Sequence, residues 1–308
     1  MKWYFKIIIF FVGLFLFVEL ISLLFMPNLS NLSKFGLYNK SKYEILDEKE
    51  NTIDAVFLGD SLVYSSISPM YIWDKYGYTS FDCAMPASTI KDAYEYFKIA
   101  VESQHPKIAF LESDVLFRKI NHDEAYYNKL KSLKNYVPIL KFHNNWKQIF
   151  SDGEYLNIFK GYKLNIKIEK YDRKSDFVKS KKVKKIKEKN LNYYKLIKKL
   201  CDENNIKLVL ISNPSQTAFS YEKHNAIEKL VEKGNVEFLD LNLEELNLDW
   251  NLDTKDGGKH LNYNGSKKVS DFIGKYIEKM NIISSHKDSK EYESWNKAYE
   301  KYKEKVYN

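Results

Sequence analysis

The chain has 308 residues, of which 44% are hydrophobic and 29% charged, and carries a formal net charge of +8. That composition excludes a disordered chain, and the length admits one α/β domain with appendages, since single cores stop growing at about 250 to 300 residues. Its two cysteines, Cys83 and Cys201, exclude a disulfide framework and a zinc site of paired cysteines; both are expected as small buried residues, and no metal, cofactor or nucleic-acid partner is expected.

Trp3 to Met26 is an apolar run of 24 residues whose only charges are Lys6 and Glu19. At 1.5 Å per residue a helix of that length exceeds a hydrocarbon core of about 30 Å, and the run is too long for the apolar region of a cleaved signal peptide. Residues 1–27 are therefore expected to be a membrane anchor. Lys2 and Lys6 precede the span and no Lys or Arg follows until Lys34, so the positive-inside rule puts the N-terminus in the cytoplasm and the rest outside. Glu19 is a carboxylate inside the span, expected either to pair with a polar group on a partner helix or to reach the interface.

Residues 28–52 are polar and aperiodic, and read as a stalk. From 53 to 283, short β-rich runs alternate with helical patterns. Ile53–Leu58, Thr79–Cys83, Lys107–Leu111, Lys207–Ile211 and Val236–Leu239 are expected strands. Ala93–Glu102, Asn192–Glu203, His224–Lys233 and Gly265–Glu278 are expected helices. The alternation implies a three-layer, doubly wound parallel sheet covered on both faces.

The stretch from about 119 to 189 is too long for an ordinary crossover and is expected to be a helical insertion that includes Tyr136–Gln148. It contains a basic run, Lys170 to Lys189, with ten Lys or Arg against Asp172, Asp176 and Glu188. Such a run either simply faces water as a solvated helix or attracts anionic polymer or lipid. In residues 284–308, Tyr292, Trp295, Tyr299, Tyr302 and Val306 recur at spacings of three and four, which predicts an amphipathic helix docked on the domain.

Two short segments carry the chemistry. The first expected strand runs into Gly59-Asp60-Ser61-Leu62, and a serine at the carboxyl end of a central parallel strand projects its hydroxyl into the crevice where such sheets bind ligands. Near the other end, Asp253-Thr254-Lys255-Asp256-Gly257-Gly258-Lys259-His260 lies on one loop before the last helix of the domain. A neutral histidine suits removal of a serine proton near neutral pH, and a carboxylate on its other nitrogen orients it and stabilises the imidazolium.

Together these segments resemble the first and last motifs of the SGNH (GDSL) hydrolases. The resemblance spans roughly 53 to 277 and implies a flavodoxin-like fold with Ser61 as nucleophile and His260 as base. The family acid stands three residues before the histidine, where this chain has Gly257; Asp256, four before, is expected as the acid, with Asp253 in reserve. The second family block contributes a backbone donor that aligns with Ala87. In the third, the usual Asn is absent and Ser113 and Asp114 stand nearby, as a donor and a substrate contact respectively. With an N-terminal anchor, the chain resembles the cell-envelope branch that acylates polysaccharides or D-alanylates teichoic acids beside a multispanning membrane acyltransferase. The implied activity is that of an esterase or O-acyltransferase working without a cofactor; a noncatalytic polymer-binding member of the fold is the alternative.

Overall fold

The structure is a computed structural model that describes residues 2–24, 44–120, 157–171, 177–232, 234 and 236–307. The chain divides into two compact units, one containing Met1–Lys40 and the other Ser41–Ile120 with Leu156–Asn308.

In the first unit, Lys2–Leu24 forms one α-helix (α1) of 23 residues. Apart from the exposed Lys6, its described side chains are largely apolar, with Phe5, Ile8, Phe10, Phe11, Phe15 and Phe17 all exposed. Among residues with described side chains, no helix is long and apolar enough to cross a membrane.

The second unit is built on five parallel strands: β1 Ala55–Gly59, β2 Ser80–Ala84, β3 Ile108–Glu112, β4 Lys207–Ser212 and β5 Glu237–Asp240. Their order is β2-β1-β3-β4-β5, so β1 is interior and the order reverses beside it. This is the expected doubly wound sheet, in the 2-1-3-4-5 order whose crevice opens between β1 and β3. Every residue of β1, β2 and β3 is buried, as strands covered on both faces require.

Helices α2 Ser61–Ser66, α3 Pro69–Tyr76 and α7 Tyr263–Met280 pack on one another over one face; α4 Ile90–Gln104 and α5 Glu188–Glu203 pair on the other; α6 Tyr221–Glu232 packs at β5. The core under α7 joins Phe57 and Phe110, stacked 4.9 Å apart, to Ile67, Ile72, Val269, Ile273 and Ile277. Cys83 and Cys201 are both buried and free.

The sequence pattern leaves out two short helices, α2 and α3. Helix α3 has recognisable local causes: Ser68 accepts the Tyr71 N–H, Pro69 sits in the first turn, and Gly77 ends the helix at φ 71°. Helix α8, Glu293–Tyr307, docks as its stripe predicts, with the Trp295 ring 5.4 Å from that of Trp73 and the Tyr302 hydroxyl 2.9 Å from Ser68 Oγ.

The basic run departs from expectation. Residues 177–187 form neither helix nor strand, and helix begins only at Glu188. Lysines crowded at helical spacing repel one another, and the segment instead finds partners on α6: Lys184 N–H donates to Glu222 O, and Asn225 Nδ2 donates to Ser180 O and Lys182 O. Tyr136–Gln148 lies outside the described residues.

Candidate active site

Strand β1 ends at Gly59, and the chain turns sharply into α2 with Ser61 as the first helical residue. The glycine is sterically required, since a Cβ there would stand 2.6 Å from Val63 Cγ2 and 2.7 Å from Glu112 Cβ. Asp60 caps the helix, its Oδ1 accepting the Leu62 N–H at 2.8 Å. Its other oxygen meets the Arg118 guanidinium closely, although no N–H is aimed along that contact, so the pair is ionic rather than a shaped hydrogen bond. Burial raises the Asp60 pKa, and Arg118 opposes that shift.

The second segment of the candidate site is the loop before α7. Thr254 and Leu261 form an antiparallel bridge, the His260 carbonyl accepts from Lys255 N–H and Thr254 Oγ1, and Thr254 Oγ1 accepts the Gly258 N–H at 2.8 Å. Asn262 closes the loop by capping α7 through Asn264 N–H and Gly265 N–H. Within this frame, Asp256 accepts twice from His260: Oδ1 from the backbone N–H at 2.8 Å and Oδ2 from Nδ1 at 2.5 Å.

The two segments meet. His260 Nε2 lies 2.8 Å from Ser61 Oγ, so Ser61, His260 and Asp256 form one continuous chain. Asp256 already accepts on Oδ2 from Nδ1, which places the acceptor lone pair of a neutral imidazole on Nε2, facing the serine. Asp253 plays a different part. Buried, it accepts from Asp249 N–H and Lys268 Nζ, each at 2.7 Å, and ties the loop to α7.

Ala87 sits at the tip of the turn after β2 in a left-handed conformation, φ 56°, which costs a residue with a Cβ about 1 to 2 kcal/mol. Among the described residues its N–H has no backbone acceptor. The turn is fixed beside β1, because Met85 N–H donates to Gly59 O at 3.3 Å. Ser61 N–H heads α2, where no intrahelical acceptor exists. These are two candidate donors for an oxyanion.

Ser113 and Asp114 are both engaged by other side chains. Ser113 is buried and its hydroxyl donates to Ser212 Oγ at 3.1 Å, while Asp114 is held by Lys223 Nζ at 2.6 Å and by Arg118 Nε at 3.3 Å. Both line a small polar hollow next to Leu62. Residue type alone could not reveal Ser212 and Lys223 as partners, which arrive from β4 and α6.

Three further features carry no sequence signal of their own. Glu112, fully buried at the end of β3, accepts from Asn213 N–H, Asn213 Nδ2 and Asp114 N–H; burial and the neighbouring Asp60 push its pKa up to about 8. Tyr64 lies one turn beyond Ser61 on α2, and burial raises its pKa. Segment 163–171, within the insertion, straps the histidine loop: Glu169 N–H donates to Thr254 O, Gly257 N–H to Glu169 O, and Tyr263 N–H to Asn165 O.

No family model matches the chain, and no curated protein matches it. Solved structures similar to it include a GDSL-like lipase from Bacteroides thetaiotaomicron, with 14% identity and TM-score 0.42 over 79% of this chain and 98% of that one. A family 3 carbohydrate esterase from Clostridium thermocellum has 14% identity and TM-score 0.42 over 74% and 96%. The psychrotrophic esterase EstA from Pseudoalteromonas sp. has 13% identity and TM-score 0.40 over 73% and 97%. Likenesses this distant carry no weight for the chemistry, which rests on the site's own geometry.

Proposed function

We propose that this protein is an extracytoplasmic serine esterase or O-acyltransferase, anchored by α1, that acts on cell-surface glycopolymers through an acyl-Ser61 intermediate. The observation that carries the reading is the continuous contact from Asp256 through His260 to Ser61, at 2.5 and 2.8 Å. His260 Nε2 takes the hydroxyl proton as Ser61 Oγ attacks the acyl carbonyl, and Asp256 stabilises the imidazolium that forms. The tetrahedral oxyanion draws on the N–H groups of Ser61 and Ala87. Collapse breaks the ester bond, His260 returns the proton to the leaving alkoxide, and water or a sugar hydroxyl then takes the acyl group by the same steps in reverse.

The long apolar stretch of α1 and the lysines Lys2 and Lys6 at its N-terminal end support anchorage with the domain outside. The exposed lysines of 179–187 support an anionic polymer such as a polysaccharide or teichoic acid as acceptor. Glu19 within α1 suits contact with a multispanning acyltransferase that exports the acyl group. A noncatalytic polymer-binding role is favoured by one observation: Ser113, where the family Asn would donate, is committed to Ser212. One lost oxyanion donor costs about 2.7 to 4 kcal/mol, which slows acyl transfer without abolishing it.

Labelling with a serine-directed fluorophosphonate separates the two. The full chain should label and Ser61→Ala should not; an unlabelled wild-type protein leaves the noncatalytic role. Mass spectrometry of envelope glycans with and without the protein should then show a difference in ester-linked acyl groups. Protease added to intact protoplasts should digest the domain, and its protection would overturn the proposed topology.

A further inference from the structure

Helix α2 presents Ser61, Tyr64 and Ser65 on one face, at the spacings of three and four that make neighbours on a helix. Each of the two later residues brings a lysine to that face. Lys255 Nζ donates to Ser65 Oγ at 2.9 Å, and Lys163 Nζ lies 4.3 Å from the centre of the Tyr64 ring. Both lysines therefore meet α2 at residues three and four positions after the nucleophile.

Their backbones are fixed by the same bonds that build the site. Lys163 N–H donates to Tyr64 O at 2.8 Å, and Lys255 N–H donates to the carbonyl of His260 at 3.1 Å. The nearby acids are taken: Asp256 accepts from His260, Glu169 pairs with Lys167 at 2.5 Å, and Asp60 faces Arg118. Among the described residues neither Lys163 nor Lys255 has a carboxylate within ion-pair distance, whereas Lys167, Lys223 and Lys268 all do. Lys255 is half-buried and its pKa is lowered, first by that burial and in part by repulsion from Lys163, although Asp256 opposes this. Lys163 is exposed and Lys255 half-buried, and two cations without carboxylate partners on one helix face are stabilised by an anion that binds there.

We infer that Lys163 and Lys255 form an anion-binding site beside the nucleophile, so that the ester handled by this protein carries a carboxylate or phosphate within a few bonds of the acyl group. This inference rests on the acyl-Ser61 reading and narrows its substrate class. The Lys255 and Ser65 contact also pins the histidine loop to α2, so a purely structural role is the competing explanation.

The test measures the second-order rate of Ser61 modification on the full chain by three fluorophosphonates of equal length, ending in a neutral, a carboxylate or a phosphate group. Wild type should prefer at least one anionic probe over the neutral one. In K163Q/K255Q the anionic-to-neutral rate ratio should fall by about tenfold, equivalent to 1.4 kcal/mol, and K163R/K255R should keep it. The ratio that falls more, carboxylate or phosphate, identifies the group recognised. Equal losses on all three probes would make the lysines structural and overturn the inference, as would an unchanged ratio. No labelling of wild type by any probe would instead remove the acyl-enzyme reading beneath it.

Discussion

His260 Nε2 stands 2.8 Å from Ser61 Oγ, although 199 positions separate the two residues in the chain. The topology makes this possible: β1 is interior to the sheet, and both the turn after it and the loop before α7 open on the carboxyl edge. Ser61→Ala should therefore eliminate acyl-enzyme formation and His260→Ala should nearly do so. Asp256→Asn should lower turnover by up to about 10⁴, through the tautomer and orientation of the imidazole. Because the triad acts as a unit, Ser61→Ala/His260→Ala should be little worse than either single change, as burst kinetics with an activated ester would show. Asp253→Asn should behave differently: with its Lys268 and Asp249 bonds weakened, it should lower thermal stability while the protein that remains folded keeps most of its rate.

Gly59→Ala should destabilise the domain by about 1 to 3 kcal/mol in urea unfolding, the usual cost of overpacking. The new methyl would meet Val63 Cγ2 and Glu112 Cβ, both on buried residues. Adding Val63→Ala removes one of the two obstacles. The double variant should therefore be more stable than the sum of the single losses predicts, and strict additivity would show that the clash is relieved by backbone movement instead.

The strand positions, the doubly wound class and both catalytic segments are legible in the sequence because each rests on local signals, namely apolar β-rich runs, a serine at a strand end, and an acid and a histidine on one loop. The choice between Asp256 and Asp253 is not legible there, since it depends on which carboxylate the Thr254–Leu261 bridge turns toward the imidazole. Ser113 and Asp114 read as site residues from their place after β3, yet their partners Ser212 and Lys223 lie about 100 positions away. The strap at 163–171 is hidden for a similar reason: its bonds to the histidine loop are backbone bonds, which leave no mark on residue type.

Stability should fall as pH rises through neutrality, and His224 should contribute to the fall. Its Nδ1 pairs with Asp240 at 2.7 Å and its Nε2 with Glu228 at 3.1 Å, and the Asp240 hydrogen bond is the main cause of its raised pKa. A histidine held charged in the folded state stabilises it fully below the unfolded pKa of about 6.5 and loses that contribution as pH rises through the higher folded value. Glu112 acts in the same sense, because its folded pKa of about 8 means that the unfolded chain ionises first. Urea midpoints measured from about pH 5.5 to 8.5, a window that brackets the unfolded histidine value, should decline less steeply in His224→Gln than in wild type; parallel curves would remove His224 from the account.

Arg118 bridges Asp60 and Asp114, and the first of these is the residue that caps the helix bearing the nucleophile. Asp60 is completely buried, so removing the guanidinium leaves a carboxylate with little compensation at the base of the site. Breaking a buried pair from one side typically costs about 3 to 5 kcal/mol, and Arg118 keeps some exposure, so Arg118→Ala should fall at or below the lower figure. Asp60→Asn keeps the oxygen that accepts from Leu62 while removing the charge. The double variant Arg118→Ala/Asp60→Asn should therefore recover part of the lost stability, and with it the rate of fluorophosphonate labelling at Ser61. Recovery of stability without labelling would mean that the charge on Asp60 itself, rather than the turn it caps, is what Ser61 requires. No recovery of either would place the role of Arg118 at Asp114 and α6 instead.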